Sequence, residues 1–325
     1  MWNELKNKRV LLSGATGLIG QTLTKKLLQS GAFVLAAVRD RERAEQMLGK
    51  RGIRYLESDI TRVPLNDMNL DYIIHAASDT SSRAFVDRPV EVIATALDGT
   101  TRMLKLAMLN RVKGFVYLSS MEVYGAPCDD RPITEEQASN LNTMLVRSCY
   151  PESKRMCENL CASYAAEYEV PAKVIRLTQT FGPGVRYEDG RVFAEFARCA
   201  IEGRDIVLHT RGETRRNYLY TEDAAEAILT VLVRGKAGEA YNAANEESYC
   251  SIREMAELVA SCYATVPIHV RVEENPDAAF RYVPTLHMNL SAEKLRSLGW
   301  VPKVGLQEAY KRMIEDMKKN VRQPG

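Results

Sequence analysis

The sequence predicts a doubly wound α/β protein: a parallel sheet with helices on both faces, followed by a smaller C-terminal α/β lobe. Three observations point there. The first half alternates short, continuous apolar runs with stretches of helical spacing. A glycine turn, GATGLIG at 14–20, lies between the first such run and the first helix. The alternation stops at FGPGVRYEDG (181–190), where glycine and proline cluster.

The elements follow in order. RVLLS (9–13) is an apolar strand, and GLIGQTLTKKLLQSG carries helical spacing that ends on Gly31. FVLAAV (33–38) is a second buried run, succeeded by the charged helix RDRERAEQML. IRYL (53–56) and DYIIHA (71–76) are the third and fourth strands. A long helix starts after Pro89 and runs to about Asn110, then GFVYLS (114–119) gives the fifth strand. Helix 151–168 and strand PAKVIRL (171–177) complete the half. Right-handed crossovers make such a sheet doubly wound. Beyond it come a helix to about 202, a short strand DIVLH, and NYLYTEDAAEAILTVLV, a strand entering a helix with Thr221 or Asp223 near its cap. SIREMAELVASCY (251–263) is an amphipathic helix, and SAEKLRSLGW and LQEAYKRMIEDMKK form a last pair. The expected division is a dinucleotide domain at 1–180, with 217–250 returning to it, and a substrate lobe at 181–216 and 251–325.

Composition narrows the function. The 325 residues suffice for a large core, and 46% hydrophobic with 26% charged residues is ordinary for a globular protein. A net charge of +2 gives no field that would select nucleic acid or an anionic membrane. Apolar runs are too short to span a bilayer, and no signal-peptide apolar region follows Met1. Seven scattered cysteines without C-x-x-C indicate free thiols and a cytoplasmic location. Cys157 and Cys161 lie four apart, but no further ligand is close in sequence, and no metal site is expected. His75, His209, His269 and His287 are far apart; only His75, at a strand end, lies near the expected cofactor.

The glycine turn has the spacing of a dinucleotide site. Gly14 permits the tight turn, Gly17 lets backbone approach a pyrophosphate, and Gly20 lets helix and strand pack closely. Thr16, Leu18 and Ile19 complete the turn and the helix N-terminus that supplies free amides. At the end of the second strand, an acid would hold ribose hydroxyls and a cation would hold a 2′-phosphate. Here Val38 precedes Arg39, which favours NADP over NAD; Asp40, Arg41 and Arg43 lie further on. Asp59 and Ile60 are placed to meet the adenine, and Ala76, Ala77 and Ser78 to line the cofactor's path.

Tyr150 and Lys154 are four apart at a helix start, hence on one face. An ammonium there is expected to lower the phenol's pKa, so that Tyr150 can take a hydroxyl proton while a nicotinamide takes hydride. Ser120, thirty residues upstream at a strand end, can bond the same substrate oxygen.

GATGLIG, HAAS, SSMEVYG, YPESK, RLTQTFGPG, GETRRNYLYTED and LGWVPKVGLQEA occur in an order that covers nearly the whole chain. In these motifs the chain resembles the extended short-chain dehydrogenase/reductases, the nucleotide-sugar epimerases and dehydratases. The resemblance implies a Rossmann domain, a nucleotide-diphosphate sugar as substrate and a homodimer built on helices 89–110 and 151–168. It implies Ser120, Tyr150 and Lys154 as the catalytic triad and Arg216 at the substrate diphosphate. Gln179 stands where the family has an Asn near that diphosphate, and Arg281 is a further phosphate candidate. Tyr187, Arg191 and Phe193 fall in the segment that covers the sugar nucleotide in relatives. Two departures are Ala96, in place of an Asn in the long helix, and the missing acid at Val38-Arg39.

Met121 and Glu122 bear on the reaction. Members of the family first oxidise the sugar to a ketone, commonly at C4. In 4,6-dehydratases an Asp-Glu pair follows the Ser/Thr; the Asp releases C6 oxygen as water and the Glu takes the C5 proton. Met121 replaces that acid and Glu122 remains. UDP-glucuronate decarboxylases carry Ser-Glu, and CY-x-E-x-KR (149–155) and EDGRVFAEFARCAIEG (188–203) resemble that branch. The expectation is an NAD(P)-dependent nucleotide-sugar epimerase or dehydratase with Glu122 as a catalytic carboxylate near C5. A nucleotide-uronate decarboxylase, an NADPH-dependent carbonyl reductase of a non-nucleotide substrate and a non-catalytic sensor are the alternatives.

Overall fold

The computed structural model describes residues 2–274 and 285–321. Its frame is a parallel sheet of seven strands: β1 (Arg9–Ser13), β2 (Phe33–Val38), β3 (Ile53–Glu57), β4 (Tyr72–His75), β5 (Gly114–Ser120), β6 (Ala172–Leu177) and β10 (Ala240–Ala243). The order across the sheet is β10-β6-β5-β4-β1-β2-β3. Successive residues of one strand feed opposite cores. Val10 and Leu12 of β1 pack into one core with α1 (Leu18–Gln29) and α7 (Thr221–Arg234). Leu11 packs into the other, with α4 (Pro89–Leu109) and α5 (Cys149–Tyr168). With both faces covered, the central strands β1, β2, β4 and β5 are largely continuous apolar runs. Each fully buried Leu or Ile contributes roughly 1.5–3 kcal/mol. α2 (Arg41–Leu48) and α3 (Ala84–Asp87) lie at the rim.

A second unit stands over the carboxyl ends of these strands. β9 (Arg215–Tyr220) pairs with β7 (Gln179–Phe181), β11 (Asn245–Ser251) and β13 (His287–Met288). β8 (Ile206–Leu208) and β12 (Val270–Val272) form a separate parallel pair. Phe181, Phe193 and Tyr310 make its core with α6 (Val192–Glu202), α8 (Ile252–Tyr263) and α10 (Leu306–Val321). α8 begins with a reciprocal capping box between Ser251 and Glu254.

Three placements differ from the sequence reading. β9, assigned to the large sheet, pairs within the small one. From the tail, Ala292, Trp300 and Leu295 of α9 (Glu293–Ser297) pack into the first core. Neither Thr221 nor Asp223 caps α7, whose N-cap is Tyr220. The Asp223 carboxylate instead accepts the amides of Lys303 (3.0 Å) and Val304 (2.9 Å), while its carbonyl accepts Trp300 Nε1–H (3.1 Å). α7 thereby holds the C-terminal segment in place.

Candidate active site

The strand order reverses between β1 and β4, and the crevice at their carboxyl ends is where open α/β sheets take ligands. The glycine turn lies there. Gly14 has φ +71°, and a Cβ on it would stand 2.8 Å from the Ala76 carbonyl and the Ala77 nitrogen. A Cβ on Gly20 would come within 2.0 Å of the Gly14 oxygen. Thr16, half-buried, completes the turn and accepts Gln21 Nε2–H at its carbonyl (3.2 Å). α1 starts at Leu18 without a side-chain cap on Gly17, so the first-turn amides, those of Leu18 and Ile19 among them, face outwards unclaimed within the helix. This cradle of free amides without side chains fits a pyrophosphate.

At the end of β2, Val38 is buried and Arg39 is exposed. The nearby acids are engaged. Asp40 accepts Arg43 N–H (2.9 Å), Glu57 accepts Arg41 N–H (3.1 Å), and Asp59 accepts the amide (2.9 Å) and hydroxyl (2.6 Å) of Thr61. Ile60 lies against α4 at Gly99, where an added Cβ would meet its Cγ2 at 3.0 Å. Ala76, Ala77 and Ser78 are half-buried beside the turn, and the Ala77 amide donates to Ser13 Oγ (3.1 Å).

Ser120, Tyr150, Lys154 and Glu122 converge at the end of β5. Ser120 Oγ accepts the Glu122 amide (3.2 Å) and lies on the side of the Tyr150 phenol, where its hydroxyl favours the phenolate. Lys154 Nζ donates to the Leu118 carbonyl (2.7 Å) and lies 4.7 Å from the Tyr117 ring and 5.7 Å from the Tyr150 ring. Two residues that sequence reasoning missed complete the cluster. Arg147 pairs with Glu122 at 3.0 Å, and its guanidinium lies 4.6 Å over the Phe85 ring. Phe85 in turn stacks on Tyr150, with centroids 4.4 Å apart. Met121 points elsewhere: it is buried with Val123, Ile133 and Met288, and its Sδ lies 3.4 Å from Thr178 Oγ1, whose proton goes to the Asn217 carbonyl (2.7 Å).

The small lobe adds polar groups. Arg216 has a buried Nε without a hydrogen-bond partner among the described residues. Gln179 is half-buried on β7, next to β9. Arg191 is paired with Asp189 (2.6 Å) and stacked on Phe193. Phe193 is buried against Phe181, centroids 4.9 Å apart, so it is core and not a substrate contact. Tyr187 donates to Glu202 (2.5 Å). Arg281 lies outside the described residues. No described helix is long and apolar enough to cross a membrane.

The sequence profile of the NAD dependent epimerase/dehydratase family matches residues 10–244. The chain belongs to that family. UDP-glucuronic acid decarboxylase 6 of Arabidopsis thaliana is 30% identical over 318 residues, which are 96% of this chain and 89% of that protein. An epimerase of Methanothermobacter thermautotrophicus shares the fold with a TM-score of 0.83 at 24% identity, covering 98% of this chain and 95% of its own. The UDP-glucose 4-epimerase of Thermus thermophilus in complex with NAD has a TM-score of 0.79 at 24% identity, covering 95% and 99%. This epimerase/dehydratase-family protein is therefore an NAD(P)-dependent enzyme of nucleotide-sugar metabolism.

In this family member the ionisation of the tyrosine–lysine pair differs from the sequence expectation. Tyr150 is pushed up, first by burial and then by the Glu122 charge; the Ser120 hydroxyl acts in the opposite direction. Lys154 is not among the groups that lower it. Burial brings the Lys154 ammonium itself down to about 8. For the Tyr150 phenol, desolvation outweighs the neighbouring Arg147 cation.

Proposed function

We propose that this enzyme decarboxylates a nucleotide-diphosphate uronate through a transient 4-ketone. The observation that carries the reading is Arg147, a half-buried cation that meets Glu122 through one terminal nitrogen and turns the rest of its guanidinium to the lip of the site, where a substrate carboxylate could bind it. A bound oxidised nicotinamide would supply the hydride acceptor for C4 and, once reduced, would return that hydride to the ketone left after carbon dioxide departs. Tyr150 takes the proton of the C4 hydroxyl and gives it back when the ketone is reduced, Ser120 bonds the same oxygen, and Lys154 supports the phenolate. A ketone at C4 makes the uronate a β-keto acid. Its C5–C6 bond breaks, the electron pair enters the C4 carbonyl as an enolate, and carbon dioxide leaves. Carbon dioxide needs no proton on departure, so the absence of an acid at Met121 costs this reaction nothing, whereas loss of water would need that acid. Glu122 is assigned to C5, where a proton must return.

Related readings accompany this one. The small lobe, with the sheet around β9 and helices α6, α8 and α10, covers the sugar nucleotide, with Arg216 and Gln179 at the diphosphate and the unpartnered Arg216 Nε as support. The same orphaned donor argues against a carbonyl reductase of non-nucleotide substrates. Arg39, exposed at the end of β2, favours NADP over NAD. A homodimer through α4 and α5 and a cytoplasmic location complete the proposal; all seven cysteines are free, as a reducing compartment would keep them. Epimerisation at C5 is the second reading, because it would use the same Glu122. The test is mass spectrometry of nucleotide hexoses and uronates incubated with the purified protein. Loss of carbon dioxide from a uronate is expected. Loss of water, an unchanged mass with a shifted chromatographic peak, or stoichiometric consumption of NADPH would replace decarboxylation by dehydration, epimerisation or reduction.

A further inference from the structure

A buried string of hydrogen bonds runs under the cofactor crevice and touches none of the groups assigned to the substrate. Ser13 of β1 and His75 of β4 are cross-strand partners, and both are buried. Ser13 Oγ lies 2.8 Å from His75 Nδ1 and accepts the Ala77 amide at 3.1 Å. His75 Nε2 lies 3.2 Å from Thr100 Oγ1 on α4. Thr100 Oγ1 donates to Cys157 Sγ of α5 (3.2 Å), and Cys157 Sγ donates to the Ala96 carbonyl (3.3 Å).

Donor bookkeeping fixes the direction of the string. Ser13 Oγ already accepts an amide proton, and among the described residues His75 Nδ1 is the acceptor within reach of its own proton. Nδ1 is then unprotonated and Nε2 carries the hydrogen, which Thr100 accepts before passing its own to Cys157. Each group from the Ala96 carbonyl to the Ala77 amide is satisfied in one sense only. Protonation at Nδ1 would leave the Ser13 proton without a partner in a site closed to water, a costly arrangement. The titratable groups around the ring are Lys154 and Cys157 of α5 and Tyr117 of β5, whose ring centroid is 5.5 Å away. Burial and the Lys154 charge bring His75 down to about 3, in keeping with a neutral ring.

The last link of the string is the Ala77 amide, in the loop that meets the glycine turn so closely that Gly14 has no room for a Cβ. We propose that His75 is a positioning residue: as its Nε2-protonated neutral tautomer it ties the Ala76–Ser78 loop, through Ser13, to the α4–α5 side of the sheet and so sets the width of the dinucleotide cleft. The proposal rests on the nicotinamide dinucleotide reading of that cleft.

Two measurements test it. Nitrogen-15 NMR of labelled histidine in the unaltered protein should show His75 with Nε2 protonated and no titration between pH 5 and 9; protonation at Nδ1, or a titration in that range, overturns the proposal. Direct calorimetric titration with NAD and NADP should show affinity falling at least about tenfold in His75→Phe and Ser13→Ala, the effect of one lost buried hydrogen bond. His75→Asn, whose Oδ1 can stand where Nδ1 stood, should restore part of it. Combining Ser13→Ala with His75→Phe should add little further loss, because both break one string. Unchanged affinity in His75→Phe, or no rescue by Asn, refutes the positioning role. If the unaltered protein binds neither dinucleotide, the functional reading fails and the cleft-setting role falls with it, whatever the tautomer. If His75→Phe does not fold, Ser13→Ala and the NMR experiment still decide.

Discussion

Glu122 sits at the start of a one-turn helix, yet its charge is answered from 25 residues away, by Arg147. Arg147 in turn is steadied by the face of Phe85, and Phe85 by Tyr150, so one stack links the proton-transfer group to the cation. Arg147→Met should lower kcat/KM for a uronate by roughly 30–150-fold, the range of a charge-assisted hydrogen bond lost to a charged partner. Glu122→Gln should remove turnover and leave cofactor binding intact. Steady-state kinetics with a uronate and its uncharged hexose, beside a dinucleotide titration, separates the roles. An equal loss on both substrates in Arg147→Met would mean that the arginine only holds Glu122. That Ser120, Tyr150 and Lys154 come together was legible because Tyr150 and Lys154 are helix neighbours and Ser120 ends an apolar run. Arg147 and Phe85 were not, because their partners are distant in sequence and only folding joins them. The direction of the Tyr150 shift was misjudged for a related reason: burial is not written in a tetrad of residues, and desolvation was the larger effect.

At the junction of β2 and α2, the chain ends a buried strand on Val38, exposes Arg39 and spends its acids on helix capping. Asp40 serves α2 as N-cap, and Glu57 takes a second amide of the same turn, so each has one carboxylate oxygen committed to the helix start. The cation left at the strand end would meet a 2′-phosphate in solvent, where an ion pair is screened and modest. Calorimetric titration should show NADP binding more tightly than NAD, by about tenfold at low salt and less at high salt. Arg39→Asp should reverse the order. Equal affinities in the unaltered protein would dismiss Arg39 as a determinant. Most elements here were legible because strands buried on both faces lose their alternation and become continuous apolar runs. β10, with the sequence AYNA, was overlooked: four mixed residues carry no periodic signal, and only pairing with β6 makes them a strand.

Across the whole molecule, two cores meet at a crevice, and the C-terminal segment belongs to both. Tail residues pack with α1 and α7, while α10 completes the second core, an exchange of chain that sequence order hides because both contacts are long-range. One outer face remains apolar. α4 and α5 lie side by side, and Val90 (78% exposed), Ile93 and Met156 project from them with Leu97 and Leu160 half-buried alongside. A surface helix normally turns such residues inwards. Two copies related by a two-fold axis would bury the same residues against each other, which is the self-complementary arrangement of most dimers. Removing each large side chain from water is worth roughly 1.5–3 kcal/mol, so a handful per copy can offset the entropy lost on association. Sedimentation equilibrium of the purified protein should give a dimer. Ile93→Glu, which would place a carboxylate within the stripe, should give a monomer that still binds dinucleotide, since the crevice lies at the carboxyl end of the sheet. A monomeric unaltered protein would remove the dimer from the reading. A dimer untouched by Ile93→Glu would move the interface to another face.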